Sequence, residues 1–348
     1  MGLAFVGRSG LREDRRGVVG GYGIPVQSHI IPMGELGKWR DRPRWSGPRT
    51  GRLPGVEVRS LAFRTDLMVR RLAGSTIAER QDHLVVRTPE NPRYHWGNFL
   101  LLDAPPVGPA VEEWISVFRR EFPDAGHVAL GIDGTEFRQP LSFPSSVGLE
   151  VDRGVVLTGR RPPTPGSWAD GHIVRQLLTA RDWSEELRLR RDEADEDGSL
   201  SPGHGEFLRR RTAEAARLAE QGWAAYFGAF EGDRLCSVVG VASDRHGVAR
   251  YQNVATRAEC RRRGLASRLL AEAGAFAVSS MGADLLVIVA DDGGPAARLY
   301  RSLGFVPAEA HLGLSVSVAN ASDPFENLPG TRPDRGGGVV DGHVAGPP

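Results

Sequence analysis

The 348-residue chain is too long for one small core and suits two domains of ordinary size. Hydrophobic residues make up 40% and charged residues 25%, as in average globular proteins, and the net charge of +1 excludes an overall field that would attract nucleic acid or an anionic membrane. No apolar run approaches the roughly 20 residues that span a bilayer, and the N-terminus lacks the apolar centre of a signal peptide. We therefore expect a cytoplasmic protein with no membrane partner.

The two ends of the chain predict no core. Residues 1–55 contain Gly, Arg, Pro and isolated apolar residues without a sustained period, and residues 319–348 repeat Pro, Gly and Asp. We predict a disordered leader and a disordered tail, and the leader could also come from too early a start codon. Its arginines could form a basic arm, but no aromatic residues alternate with them, so we expect no nucleic acid partner.

A first folded unit is predicted over residues 56–160, followed by a linker at residues 161–172. Apolar runs in this unit predict a β-hairpin, an amphipathic helix and two further strands, over residues 83–87 with 97–102, 110–122, 127–132 and 151–157. The proline-rich run that begins at Arg161 then breaks the chain.

A second folded unit is predicted over residues 173–318, in the order β-α-α-β-β-β-α-β-α-β. Its strands are expected at residues 173–178, 224–230, 237–243, 249–255, 285–290 and near 312–316. Its helices are expected from residues 179–182 toward 191, and at 205–221, 264–279 and 295–302. The acidic segment 192–197 is expected to separate the first two helices as a solvated surface. This pattern predicts a mixed α/β domain whose mostly antiparallel sheet is flanked by helices.

The sharpest local signal is the run Arg261-Arg262-Arg263-Gly264-Leu265-Ala266, where a strand ends and a helix begins. Amide groups without helical partners point out of such an N-terminus, and the helix dipole adds partial positive charge. Gly264 would let the backbone approach a phosphate, Ala266 keeps the first turn uncluttered, and the arginines add charge. The run predicts a pyrophosphate site, although alone it also fits a capped surface helix.

Together with the box Leu299-Tyr300-Arg301-Ser302-Leu303-Gly304-Phe305, this loop resembles the GCN5-related N-acetyltransferase (GNAT) family over about residues 173–316. The resemblance implies acetyl-CoA as co-substrate and direct acetyl transfer to a primary amine of a small molecule or peptide. It implies that the acetyl-pantetheine arm lies along Val254, Ala255 and Thr256, and that residues 261–266 hold the diphosphate. It also implies that Tyr300 protonates the departing CoA thiolate as general acid.

The sequence departs from the family pattern where an asparagine often opens the last helix, because Asp292-Gly293-Gly294-Pro295 stands there. No general base is assigned: Tyr251 and Asn253 flank the expected cleft, and we expect the carboxylates of Asp291, Asp292 and Glu259 on solvated turns. Ordered water could serve instead. A catalytically inactive CoA-binding regulatory module is therefore the alternative function.

Metal and covalent chemistry find no support in the sequence. Cys236 and Cys260 are too few for a disulfide framework, and neither lies near a base that would activate a nucleophile. The scattered His172, His204 and His246 have no ligand spacing, so no metal site is predicted.

The first unit is predicted to be a degenerate GNAT-like copy, giving two such domains. Its segment Ser146-Val147-Gly148-Leu149 precedes a strand as residues 302–305 do, but residues 103–109 replace the phosphate loop without an arginine. This half should therefore not bind CoA well. The cluster of His95, Trp96 and Asn98 is expected to be structural. The acceptor, the acyl-chain preference and the oligomeric state are left open by the sequence.

Overall fold

The structure is a computed structural model that describes residues 58–137, 148–168 and 171–317. The predicted leader (residues 1–55), the predicted tail (residues 319–348) and the pair Ser146-Val147 lie outside these ranges. Within them, no helix is long and apolar enough to cross a membrane.

Six α-helices and eleven strands are formed by the described residues. The helices are α1 (Leu61–Leu72), α2 (Ala110–Glu121), α3 (Ala180–Glu196), α4 (Pro202–Glu220), α5 (Leu265–Met281) and α6 (Pro295–Ser302). The strands are β1 (Thr76–Glu79), β2 (His83–Arg87), β3 (Phe99–Leu102), β4 (His127–Ile132), β5 (Glu150–Gly159), β6 (Ile173–Gln176), β7 (Ala224–Glu231), β8 (Arg234–Ala242), β9 (Val248–Thr256), β10 (Leu285–Asp291) and β11 (Val306–Ser317).

All eleven strands belong to one sheet with the order β1-β2-β3-β4-β11-β5-β10-β9-β8-β7-β6. Only the neighbours β3–β4 and β9–β10 are parallel, and the other pairs of the described strands are antiparallel. The prediction of a mixed, mostly antiparallel sheet with helices is confirmed.

The sheet contains the same arrangement twice. In each half, an antiparallel meander leads through one helix to a strand that pairs in parallel with the last meander strand, as β3-α2-β4 and as β9-α5-β10. The closing strands are exchanged, because β5 lies against β10 and β11 lies against β4, with β5 and β11 paired to each other. The two halves therefore share one strand-and-helix topology. Strand pairing crosses the boundary that the sequence predicts at residues 161–172.

The exchange also joins the hydrophobic cores. Leu312, Leu314 and Val316 of β11 are buried in the core of the first half, whereas Val155 and Leu157 of β5 are buried in that of the second. Each half therefore needs a strand of the other to complete its core.

Three local features differ from the sequence prediction. Helix α1 was not predicted, and β11 begins at Val306 rather than near Leu312. The acidic segment after Arg191 does not end α3, which continues to Glu196. A capping box between Thr179 and Asp182 starts this helix firmly, and Arg190 forms ion pairs with Glu186 and Glu193 that stabilise its second half.

Candidate active site

The candidate site is an opening between β9 and β10. The two strands pair only over residues 248–250 and 285–287, and they diverge beyond that point. A bulge in β9 shifts its register with β8 between Val238 and Gly240. Asn253 lies in this bulge and adopts a left-handed φ of 53°. Arg190 holds the bulge by donating a hydrogen bond to the Asn253 carbonyl at 2.7 Å. The result is a cavity of about 100 Å³ between the two strands.

Val254 is the strand residue that this opening leaves unpaired. It lines the cavity and has no partner in the ladder of β8 or of β10. Its neighbours are engaged: the Ala255 carbonyl accepts from the Ser237 hydroxyl at 2.8 Å, and the Thr256 hydroxyl lies 2.8 Å from that same group. Of the three strand residues singled out by sequence, only Val254 lines the cavity and has no register partner in the neighbouring strands.

The predicted phosphate loop follows β9 and ends in the N-terminus of α5. Gly264 caps the helix in a left-handed conformation with a φ of 76°, and no side chain caps it. The first-turn amides, including those of Leu265 and Ala266, therefore lack helical partners. A Cβ on Gly264 would lie 2.5 Å from the Ser167 carbonyl oxygen, so only glycine fits there.

The three arginines of this loop differ in their partners. Arg261 is committed to protein contacts, because its two terminal nitrogens donate to the Glu196 carboxylate at 2.8 and 2.7 Å and its Nε donates to the Thr256 carbonyl at 3.1 Å. Arg262 and Arg263 are exposed and have no hydrogen-bond or ion-pair partner among the described residues. These two side chains and the helix amides are the groups available to an anion.

Tyr300 lies on α6 and lines the cavity. It is 4% exposed, packs against Phe305 and has no hydrogen-bond partner for its hydroxyl within the described ranges. Burial, reinforced by the nearby Asp291 carboxylate, raises the pKa of Tyr300 above its usual range. The phenol therefore stays protonated at neutral pH.

Asp291 lines the same cavity, contrary to the expectation that it sits on a solvated turn. Burial, with a smaller contribution from Asp152, raises the pKa of Asp291. The other carboxylates considered from sequence lie outside the cavity: Asp292 faces Arg301 at 3.7 Å and Glu259 pairs with Arg234, both largely exposed. Tyr251 donates its hydroxyl to the Leu270 carbonyl at 2.9 Å and is committed to that contact.

One wall of the cavity was missed by sequence reasoning. We call it the α1 wall, and it consists of Asp66, Arg70, Tyr94, Arg211 and Arg250. Its residues come from α1, from the loop before β3, from α4 and from β9, so no local pattern in the sequence marks them.

Two further groups from the sequence analysis lie outside the cavity: the histidines for which no metal site is predicted, and the cluster expected to be structural. His172 lies in a group with Glu231 and Cys236 whose ligand atoms are all within 4.8 Å of one another, a donor set that could hold a metal ion. Asn98 makes structural contacts, since its amide donates to the Tyr94 carbonyl at 2.9 Å and its carbonyl accepts from the Thr88 amide at 2.9 Å.

Comparison with known proteins agrees with this geometry. Residues 222–307 match the family model of an acetyltransferase (GNAT) domain, a range that includes the phosphate loop, Asp291 and Tyr300. No curated protein matches the sequence at a significant level.

Several solved structures resemble the chain. A functionally unknown conserved protein from Staphylococcus epidermidis ATCC 12228 matches with a TM-score of 0.54 and 11% identity, over 70% of this chain and 95% of that chain. A GCN5-related N-acetyltransferase from Kribbella flavida matches with a TM-score of 0.49 and 16% identity, over 72% and 92% of the two chains. A tandem GNAT protein from the clavulanic acid biosynthesis pathway matches with a TM-score of 0.45 and 14% identity, over 86% and 98%. The first match indicates a similar fold, and the other two have TM-scores below 0.5.

Proposed function

We propose, from the premise that residues 222–307 form a GNAT domain, that the chain is an N-acetyltransferase which moves an acetyl group from acetyl-CoA directly to a primary amine. The observation that carries this proposal is the meeting of Tyr300, Asp291 and the unpaired Val254 in one cavity. Seven residues separate the end of the same strand, Thr256, from Gly264 at the uncapped N-terminus of α5.

The groups around α5 fit a diphosphate. The helix amides and the free side chains of Arg262 and Arg263 would hold it, and Gly264 would let the backbone approach closely. The main chain of Val254 would hydrogen-bond the pantetheine arm. Bound acetyl-CoA would supply an activated acetyl thioester.

Two side chains would manage the protons of the reaction. Asp291 would accept a proton from the acceptor ammonium, leaving a neutral amine whose nitrogen forms the new C–N bond. Tyr300 would donate its phenolic proton to the sulfur as the C–S bond breaks, and the second proton that the nitrogen loses as the amide forms would return to the phenolate through solvent. Tyr300 is protonated throughout the neutral range and so has a proton to donate, and its position in the cavity supports this role.

Binding and turnover of the purified full chain test the proposal. We expect acetyl-CoA to bind, and we expect the double variant Arg262→Gln/Arg263→Gln to bind it at least about tenfold more weakly, because two charge-assisted contacts are lost. With an amine panel in a thiol-release assay, Tyr300→Phe should lower kcat by about 10²-fold. The matched control is Arg181→Gln/Arg188→Gln, which removes two exposed arginines of α3 whose ion-pair partners, Asp233 and Glu185, lie outside the loop.

Three results separate the possible outcomes. Acetyl-CoA binding that is absent, or equal in both double variants, contradicts the proposal. Binding without thiol release above a heat-inactivated control, across the whole panel, indicates an inactive CoA-binding module instead. Turnover that Tyr300→Phe leaves unchanged refutes only the acid role of Tyr300.

A further inference from the structure

The cavity opens through the sheet, and different side chains reach it from the two faces of the sheet. Along β10, Ile288 and Ala290 are buried in the core beneath α5, whereas Val287 is buried against α1. Because side chains alternate along a strand, Asp291 follows Val287 onto the face toward α1. Tyr300 belongs to the core on the α5 face. The proposed acid and the proposed base thus approach the opening from opposite faces, and the α1 wall lies on the side of the base.

Arg250 is a buried cation that makes no ion pair with the described residues. It is 8% exposed, and its Nη1 donates to the Ala62 carbonyl at 2.9 Å and to the Thr65 hydroxyl at 2.8 Å, both uncharged acceptors. No carboxylate lies within ion-pair distance of it among the described residues. Burial lowers the pKa of Arg250, and the nearby Asp66 carboxylate offsets this only in part, whereas neighbouring Arg211 pairs with Glu214. A buried charge of this kind is costly unless a partner neutralises it.

Arg70 has an unused donor at the same wall. It is 1% exposed, and its Nε has no hydrogen-bond partner. The nearest carboxylate to this atom, Asp66, is 3.9 Å away and outside hydrogen-bond distance. Its Nη1 reaches Glu214 at 3.4 Å, so Arg70 and Arg211 share one carboxylate.

The guanidinium groups of the α1 wall are held in fixed positions. Those of Arg70 and Arg211 lie over the Tyr94 ring at 4.7 and 4.6 Å from its centroid. Within the wall, three guanidinium groups, of Arg70, Arg211 and Arg250, face two carboxylates, of Asp66 and Glu214. The proposed base Asp291 is the third carboxylate of the cavity, so the charges of the cavity balance as a whole and the excess positive charge lies on the wall. The wall is therefore a rigid site that lacks one negative charge.

We propose that the acceptor amine carries an acidic oxygen group, a carboxylate or a phosphate, which binds Arg250 and Arg70 while its amino group faces Asp291. The inference rests on the proposed function, because it names the acceptor class of that same site. Planar guanidinium groups match both anions, and they line the same cavity as Asp291.

Anion binding tests the wall independently of catalysis. The full chain, with saturating CoA to fill the phosphate loop, is titrated by calorimetry with malonate and with inorganic phosphate. We expect saturable binding of at least one probe that falls about tenfold or more in Arg250→Gln, with an intermediate loss in Arg250→Lys, which keeps the charge but not the fork. The control is Arg64→Gln, which replaces an exposed arginine of α1, the helix that contributes Asp66 and Arg70 to the wall. This variant should bind the probes like the unaltered chain.

Acceptor preference tests the same wall through turnover. We compare β-alanine with β-alaninamide, O-phosphoethanolamine with ethanolamine, and spermidine as a polycation. The acidic member of a pair should have a kcat/KM about tenfold higher or more, and Arg250→Gln should abolish that preference. Preference within the first pair identifies a carboxylate, and preference within the second a phosphate.

Opposite results overturn the inference. The inference is wrong if neither probe binds saturably, or if Arg250→Gln binds the probe as tightly as the unaltered chain. It is also wrong if a neutral or polycationic amine is the preferred acceptor. Unchanged CoA affinity shows that Arg250→Gln is folded, and Arg250→Lys replaces it if it is not. Anion binding that depends on Arg250 without any acetyl transfer would refute the proposed function and leave this wall as an anion site.

Discussion

At the scale of single residues, a buried histidine on β11 is expected to make the stability of the chain depend on acid pH. His311 on β11 is 6% exposed, neither ring nitrogen has a hydrogen-bond partner, and the ring lies 4.9 Å from that of Phe63. Burial, with a smaller contribution from Arg250, lowers the pKa of His311 to about 3. His95, which stacks on His127, is affected likewise, and burial lowers its pKa to about 4.

The direction of the pH effect follows from these shifts. The unfolded chain protonates its histidines below about pH 6.5, where the folded chain keeps His311 neutral. Stability linked to His311 is therefore complete above that pH and is lost as pH falls toward about 3. Each such histidine adds a slope of up to about 1.4 kcal/mol per pH unit to the free energy of unfolding.

We predict that His311→Leu flattens the acid side of the stability profile. Urea denaturation between about pH 7 and pH 4 should show a shallower loss in this variant, because one buried titrating group is gone. His246→Gln, at an exposed histidine in a turn, should keep the original slope. An unaltered slope in His311→Leu would show that this ring does not control acid unfolding.

At the scale of elements, α5 has a left-handed glycine at both ends, and only one of them is sterically confined. Gly264 and Gly282 have φ values of 76° and 71°. A Cβ at Gly264 would lie 2.5 Å from the Ser167 carbonyl oxygen and 3.0 Å from the Trp168 Cα, whereas nothing lies within 4 Å of one at Gly282. The linker is thus packed against the start of α5.

We predict that Gly264→Ala is the more damaging of two alanine substitutions. Gly282→Ala should cost about 1–2 kcal/mol from the left-handed conformation alone, while Gly264→Ala adds an overpacking cost of about 1–3 kcal/mol. Only Gly264→Ala should also weaken CoA binding, because the loop must shift. Urea denaturation and CoA titration of both variants measure this difference, and equal losses in both would mean that the linker yields freely.

The elements themselves show what the sequence could predict. Helix α6 was predicted at its observed bounds because Pro295 starts it and its apolar face is regular. Helix α1 was not, since buried residues point in several directions around it and Ser60 makes no side-chain cap. Tertiary contacts that flank an element on more than one side erase the periodicity on which such a prediction depends.

Some residues of the candidate site could be predicted from local sequence and others could not. The phosphate loop and Tyr300 lie in short contiguous motifs, so their residue types and spacing could be recognised. The α1 wall could not, because its contacts join distant positions: Arg70 and Glu214 are 144 residues apart in the sequence. Asp291 was considered but misplaced, since its position at the cavity depends on the divergence of β9 and β10 rather than on local residues.

At the scale of the whole molecule, the two halves share a topology but contribute different residues to the cavity. The phosphate loop belongs to the second half, whereas the first contributes Asp66, Arg70 and Tyr94 to the cavity. The segment 103–109, which replaces the loop in the first half, contains no arginine. The degenerate copy is thus proposed to serve as the acceptor side of a single cofactor cleft.

The exchange of β5 and β11 bears on how the chain unfolds. Strand β5 pairs with both β10 and β11, and β11 pairs with β4. Unfolding either half alone would remove a strand from the core of the other and expose Leu157 or Leu312, both fully buried. The division at residues 161–172 is therefore a boundary between copies, and we predict that it does not separate independent folding units.

Scanning calorimetry of the full chain should accordingly show one transition, with calorimetric and van't Hoff enthalpies that agree. Saturating CoA should move this transition upward as a whole, because a ligand of the second half stabilises everything that unfolds with it. The fragment 171–317, which lacks β5, should show no such transition. Two resolved transitions, with only one shifted by CoA, would instead establish that the halves fold separately despite their shared sheet.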